Sequence, residues 1–406
     1  MALNPNQPRA YDAVLGGTPT SYPLHAAVLG GLAGVKHRFA STVVNQQVAA
    51  IKDAIKYGQE GFSLIFDALK DSNWQIRHTA YSLLKGVDDP RLQQLLPEYN
   101  PYQFLRCLYR HATAQSTVYA LAISSDEQLL ASGATDKTIK VRSLHTGKIL
   151  STLTGHLGSV SAIALHPHQP ILVSGSWDTT IKVWNLENIS LSNQLASDRL
   201  ILTYRGHESK INTVAISPDG QVVGSGSQDG KIDLWHIRTG EVIDAIALHT
   251  NGVTSLAFTP NGQTLVSGGA ECTIHLWDWQ SKELKHSFTK DTNSVKSIAI
   301  SPDGQILARG SQDKAIELWH LPTGQLLNKL IGHWGEVNGL AISQDGQTLV
   351  SCSWDETIRL WHLPTGTLLH SLTGHQGAVV SVAISPDALK IVTSSQDRTI
   401  RVWGMG

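Results

Sequence analysis

Two hydrophobic periods succeed one another along this chain. From residue 45 the apolar positions recur at helical spacing. Val48, Ile51 and Ile55 share one face, Phe62, Ile65, Phe66 and Leu69 form a second stripe, and Ile76, Ala80, Leu83 and Leu84 form a third. Asp71-Ser72 reads as the start of the third helix, and Asp89-Pro90 as the cap and first position of a short fourth one. Beyond residue 103 the helical spacing vanishes. Short apolar and β-branched runs such as Glu336–Ile342 and Thr348–Ser351 are bounded by turn residues, and they predict strands joined by tight turns. Ser217-Pro-Asp-Gly220 and Ser301-Pro-Asp-Gly304 have type I turn chemistry, and Thr-Gly pairs at 146–147, 239–240, 323–324 and 365–366 mark a second recurring hairpin.

The strands repeat on a longer scale. Trp235, Trp277, Trp319, Trp361 and Trp403 follow one another every 42 residues. Allowing nine extra residues, the preceding unit reaches Trp184, and Arg142 holds the same position 42 residues earlier. Seven units of four strands result. One four-stranded sheet cannot cover both of its own faces, whereas seven stacked radially can. The pattern predicts an all-β seven-bladed propeller of four-stranded antiparallel blades, preceded by a small α-helical segment.

At this point the chain resembles the WD-repeat family. The resemblance rests on Gly-His at 155–156, 206–207, 332–333 and 374–375, on an Asp six residues before the Trp, and on the repeat length. Only Trp277-Asp278 retains the namesake dipeptide. The stretch from Ala68 to Ala80 is similar to a HEAT-type helical hairpin, so the chain as a whole resembles bacterial WD-repeat proteins with an N-terminal HEAT-like segment. Three regions follow: an irregular or short-helical extension over 1–44, a HEAT-like segment over 45–100, and the propeller over 103–406. The family's sequence repeat begins with the outer strand of the preceding blade, which implies that a strand at 103–110 closes blade seven. The family also implies four-membered structural networks: His156, Ser174, Asp178 and Trp184; His207, Ser225, Asp229 and Trp235; His333, Ser351, Asp355 and Trp361; and His375, Thr393, Asp397 and Trp403. A semi-buried carboxylate needs donors, and the imidazole and hydroxyl supply them.

Three repeats depart from this pattern, through drift or in exchange for charged surface. Repeat four has Glu271 for Asp. Repeat five has Lys290 and Arg309 facing Asp313, a pairing geometrically distinct from the neutral set. Repeat one has Ala114 and Arg142 in place of His and Trp.

Composition narrows the function classes. The 406 residues are 41% hydrophobic with a formal net charge of −1, which lacks the electrostatic footprint of a general nucleic-acid binder. Cys107, Cys272 and Cys352 lie on separate repeats without CxxC spacing and read as reduced thiols of a cytoplasmic chain. There is no basic leader with an apolar core and no 18-residue apolar run, so neither secretion nor a membrane span is expected. No nucleophile–base–orienter set stands out, and the eighteen His include His236, His320 and His362 on separate blades. The expectation is a non-enzymatic chain without cofactor, catalytic residue or metal.

The residue before the structural Asp points out of the top face in the family. Here those residues are Thr135, Trp177, Gln228, Ala270, Gln312, Trp354 and Gln396, with Trp334 directly after His333 on the same rim. Trp177, Trp334 and Trp354 either anchor a protein partner or lie flat on neighbouring blades; Trp is enriched at binding hot spots. The leading expectation is a protein–protein interaction scaffold. The alternatives are a small-molecule or metal-binding enzyme using the central channel, and an assembly factor acting through the helical segment.

Overall fold

The computed structural model describes residues 31–71, 73–85, 87, 96–113, 116–189, 199–289 and 293–405. These divide into two units, with the boundary between Phe104 and Leu105.

The larger unit is a seven-bladed propeller. Seven four-stranded antiparallel sheets follow one another along the chain. Blades 1 to 6 span 118–153, 160–204, 211–247, 253–289, 295–330 and 337–372, each running from inner to outer strand, and blade 7 takes its inner three strands from 379–404. Its outer strand is Arg106–Ala112, paired antiparallel with Thr399–Gly404 from Arg106↔Gly404 to Ala112↔Thr399. The closing strand lies slightly later than 103–110. Pro101–Phe104 is instead a 3-10 turn, in which the Asn100 side chain accepts the Tyr102 N–H at 3.0 Å. A Pro opening such a turn has no N–H to leave unsatisfied.

Short runs suffice as strands because each blade is buried against two others. The second strand of every blade is almost wholly buried, as at Thr348–Ser353 and Val222–Ser227. Inner strands are also pinned to one another by short polar side chains. The Leu256 N–H donates to Thr213 Oγ1 at 3.2 Å, Ile298 N–H to Ser255 Oγ at 3.1 Å, and Leu340 N–H to Ser297 Oγ at 3.1 Å. Each pin crosses from one blade to the next. Because strands alternate in direction, the loops entering each inner strand and the turns between second and third strands share one end of the ring, here the top face.

The smaller unit contains α1 (Gly31–Phe39), α2 (Val44–Ala54), α3 (Gly58–Ala68) and α4 (Trp74–Lys85). Helical structure therefore begins before residue 45. Ile51, Ile65, Ile76, Ala80 and Leu84 are buried as their spacing predicts. Ile55 is 39% exposed, because α2 tightens into a 3-10 turn over Ile55–Tyr57 and turns that side chain off the apolar face. At the start of α4, Asn73 Oδ1 accepts the Gln75 N–H at 2.9 Å, while Asp71 Oδ1 accepts the Asn73 N–H at 2.7 Å. Ser72, Asp89, Pro90 and the first 30 residues lie outside the described residues. Contact between α2 and α3 is close at Gly61, where an added Cβ would strike the Ala54 carbonyl. Helix propensity alone would favour Gly61→Ala by about 1 kcal/mol. Overpacking against backbone reverses that sign, and the substitution should destabilise the helical unit by about 1–3 kcal/mol. Hydrogen exchange at the amides of α2 and α3 measures it; slower exchange in the variant contradicts the packing argument.

Candidate interaction face and the networks beneath it

Three of the four expected networks assemble in full. In blade 6, His333 Nδ1 lies 2.8 Å from Asp355 Oδ2, and its Nε2 lies 2.8 Å from Ser351 Oγ. The Trp361 indole N–H donates to the same Ser351 oxygen at 2.9 Å. Blade 2 repeats this with His156, Asp178 (2.9 Å), Ser174 (2.8 Å) and Trp184 (2.8 Å). Blade 7 does so with His375, Asp397, Thr393 and Trp403, each link 2.8 Å long. A fifth member escaped the sequence reading. Thr180, Thr357 and Thr399, two residues after each Asp, donate their hydroxyls to its other oxygen at 2.6–2.7 Å.

The carboxylates are held ionised. Burial alone would push Asp355 and Asp178 upward, but hydrogen bonds from His333 and Thr357, and from His156 and Thr180, hold both far below the usual carboxylate range. Asp397 is drawn down to about 2, because the bonds from Thr399 and His375 outweigh the burial that opposes ionisation.

Blade 3 departs from expectation. His207 reaches Ser225 at 2.9 Å and Asp229 at 3.3 Å, but the Trp235 N–H has no hydrogen-bond partner. Its ring instead stacks on Tyr204, with centroids 5.1 Å apart and planes 8° from parallel. Trp319 in blade 5 stacks in the same way on Phe288, at 5.6 Å. In each case the platform comes from the outer strand of the preceding blade, at a position outside the His, hydroxyl, Asp and Trp set. The signal was an aromatic where the outer strands of blades 1, 3, 5 and 6 carry Leu or Ile.

Blade 5 corrects a second expectation. Arg309 does not face Asp313. It is buried and bonds Glu317 Oε2 at 3.0 Å and the Asn293 carbonyl at 2.6 Å. Arg309 and Glu317 are cross-strand partners, which places their charges side by side. Asp313 pairs with Lys329 at 3.2 Å, and Lys290 lies outside the described residues. In blade 1, Arg142 is buried and its guanidinium reaches the Gly147 carbonyl at 3.4 Å; Ala114 is outside the described residues. In blade 4 the network survives with Glu271 in the Asp role: His249 Nδ1 bonds Glu271, and His249 Nε2 lies 2.7 Å from Ser267 Oγ. Burial lowers the His249 and His275 imidazoles, and although burial opposes it, the Thr273 and His249 bonds keep Glu271 low.

The networks shape the top face directly. Each Asp also accepts the backbone N–H of the residue after the His: Leu157 at 2.7 Å, Glu208 at 3.1 Å, Trp334 at 2.9 Å and Gln376 at 3.1 Å. In blade 6 the adjacent loop is tied down as well, Trp354 N–H donating to the Glu336 carbonyl at 2.9 Å. Trp334 and Trp354 are 81% and 54% exposed, with Ile331 of the same loop at 79%. Trp177 behaves differently. It is 38% exposed, lies against Tyr119 with centroids 5.4 Å apart, and has the Lys210 ammonium 4.5 Å over its ring. The indoles of blade 6 are therefore open, whereas that of blade 2 is partly covered by its neighbours.

The central channel offers a cavity of about 270 Å³ lined by inner strands of six blades. Three of its polar side chains donate into the wall. Asn212 donates to the Val253 carbonyl at 2.9 Å, Asn338 to the Val379 carbonyl at 2.8 Å, and Ser161 to the Ile211 carbonyl at 2.5 Å. The three cysteines form no disulfide, and no helix among the described residues is long and apolar enough to cross a membrane.

These geometries order three substitutions. Glu317→Ala strands a buried guanidinium and should cost about 3–5 kcal/mol. Asp355→Ala leaves buried network donors unpaired, at about 1–3 kcal/mol. Asp313→Ala removes a partly exposed pair, at about 0–1 kcal/mol. Denaturant midpoints check the order, and an Asp313 loss equal to either other loss contradicts it. A pH test follows from Asp397. Its folded value is depressed, so its stabilisation is complete above the ordinary carboxylate range and is lost as pH falls toward about 2. Between pH ~5 and ~2.5 the wild type should lose more stability than Asp397→Asn.

Comparison with known proteins agrees with the repeat geometry. A model described as "WD domain, G-beta repeat" matches residues 102–143, 147–185 and 366–404, and one described as "IFT122 first beta-propeller" matches 193–365. A guanine nucleotide-binding protein subunit beta of Arabidopsis thaliana is 42% identical over 57 residues, 14% of this chain and 15% of that protein. A bromodomain and WD repeat-containing protein of Dictyostelium discoideum is 24% identical over 160 residues, 38% of this chain and 7% of its own length. Apoptotic protease-activating factor 1 of Rattus norvegicus is 24% identical over 177 residues, 42% of this chain and 13% of that protein. The matches thus span a small part of each relative. The chain carries WD40 repeats, and they build its seven-bladed propeller.

Proposed function

We propose that this chain is a non-enzymatic interaction scaffold that takes a protein partner on the top face, with Trp334 and Trp354 as its anchors. The observation that carries the reading is the pair of exposed indoles on adjoining, hydrogen-bonded loops of one blade. Large aromatics on a pre-organised surface lose little conformational entropy on binding and dominate interface energetics. Trp177, covered by Tyr119 and Lys210, serves as a peripheral contact. The formal charge of −1 leaves little long-range steering, so desolvated aromatic contact supplies the affinity. Relatives named as subunits of larger proteins support a place in an assembly. The cytoplasm is the compartment this reading assigns, from unpaired cysteines on separate repeats, and the bacterial source and HEAT-like character of residues 45–100 belong to it through the resemblance. A channel ligand is less well supported, since Asn212, Asn338 and Ser161 spend their donors on neighbouring backbone.

Wild-type and variant full-length chains, immobilised and exposed to native lysate, identify the partner by mass spectrometry; titration with the purified partner then gives affinities. Trp354→Ala and Trp334→Ala should each weaken binding by about 2 kcal/mol, roughly thirtyfold in Kd, with melting unchanged. Trp177→Ala should cost less. Unchanged affinity in all three, with loss in Trp74→Ala, moves the site to the helical unit and the role to that of an assembly factor acting through it.

A further inference from the structure

Blade 4 differs from every other blade at three positions that meet at one point. Glu271 stands where the other repeats have Asp, His275 where they have Lys140, Lys182, Asp233, Glu317, Arg359 and Arg401, and Gly269 where they have Ala134 or a Ser. His249, Glu271 and His275 offer ligand atoms that all lie within 4.8 Å of one another, and the two imidazole centroids are 4.8 Å apart. A side chain at 269 would run into Glu271 Oε1 and His249 Nδ1, so the glycine opens space at the ligand atoms themselves.

The two rings differ in their hydrogen bonding. His275 Nδ1 is buried without a hydrogen-bond partner. His249 Nε2 faces Ser267 Oγ at 2.7 Å. In blades 2, 6 and 7 that hydroxyl oxygen also accepts the Trp indole; in blade 4 the Trp277 N–H makes no such bond. Ser267 is therefore free to accept His249 Nε2–H, so an ion arriving at Nδ1 would displace only the proton now donated to Glu271. Metal-binding imidazoles are held in this way, the far N–H fixed by an oxygen.

We propose that the top of blade 4 binds a divalent first-row transition ion through His249 Nδ1, Glu271 and His275 Nδ1. Two imidazoles and a carboxylate suit Zn²⁺, with a solvent molecule completing four-coordination at about 2.0–2.2 Å after a small inward closure of the ligands. The Glu271 side chain is 13% exposed, which gives the ion and its water a route in. The ion would replace the short His249–Glu271 contact and tie the loop entering blade 4 to its second hairpin. No metal is expected from sequence spacing, because His249 sits 22 residues ahead of Glu271 and its register is that of a structural His.

The test uses the full chain, stripped with a chelator and titrated with Zn²⁺ against a chromophoric competitor. The expected result is one tightly held ion per chain and a melting temperature that rises with Zn²⁺. His275→Gln and Glu271→Gln should weaken binding at least about tenfold, the least that loss of even an outer-sphere partner costs, and His275→Gln, which leaves the His249–Glu271 bond in place, should melt at the wild-type value without metal. Failure of the wild type to bind stoichiometrically, or equal binding by wild type and both variants, overturns the proposal. Should a variant not fold, X-ray absorption of the Zn²⁺-loaded wild type decides: two imidazole nitrogens with oxygen ligands support the site, and any other ligand set overturns it.

Discussion

Ring closure is the constraint on which the propeller rests. A blade covers neither of its faces alone, so an open stack would end in two exposed apolar sheets. The closing contact is the ladder between Arg106–Ala112 and Thr399–Gly404, extended by Thr113, whose Oγ1 lies 2.8 Å from the Arg398 carbonyl, 285 residues away. The cost of so long a loop grows only with the logarithm of its length, whereas closure covers both terminal faces at once. Val118, Leu121 and Leu130 of blade 1 then share one cluster with Val392, Ile400 and Val402 of blade 7.

Once the ring is closed, the polar networks set what it presents. Each Asp is satisfied by a His from the entering loop and by a backbone N–H one residue further on. The side chain of that second residue has nowhere to go but outward. Trp334 is thus displayed because Asp355 holds its amide, and the burial that would oppose ionisation of Asp355 is outweighed by the same donors. Under the proposed reading, stability and recognition share one carboxylate.

The 42-residue period made the blade count legible, and the family resemblance implied the networks of blades 2, 6 and 7, whose partners sit at fixed offsets within one repeat. Contacts outside the His, hydroxyl, Asp and Trp set were not legible. Tyr204 under Trp235 comes from another blade, and Glu317 beside Arg309 follows from cross-strand register, which a reading centred on the Asp313 hairpin overlooked. The closing strand was recognisable as a strand, but its start was set by the Asn100–Phe104 turn. For the top-face Trp, position in the repeat indicated which way each points, while the degree of cover depended on neighbours such as Tyr119 and Lys210.

The repeats also serve as internal controls on one another. At the position of Trp354 the other blades carry Thr135, Trp177, Gln228, Ala270, Gln312 and Gln396, and in blade 7 the backbone bond that fixes this hairpin forms just as well, Gln396 N–H to the Ala378 carbonyl at 2.9 Å. The fold therefore does not require an indole there. Trp177 repays part of its hydration cost by lying between Tyr119 and Lys210. Among the described residues, Trp354 and Trp334 are largely exposed, and apolar rings kept wet at positions where the backbone bond also forms beside Gln are what supports the proposed partner site there.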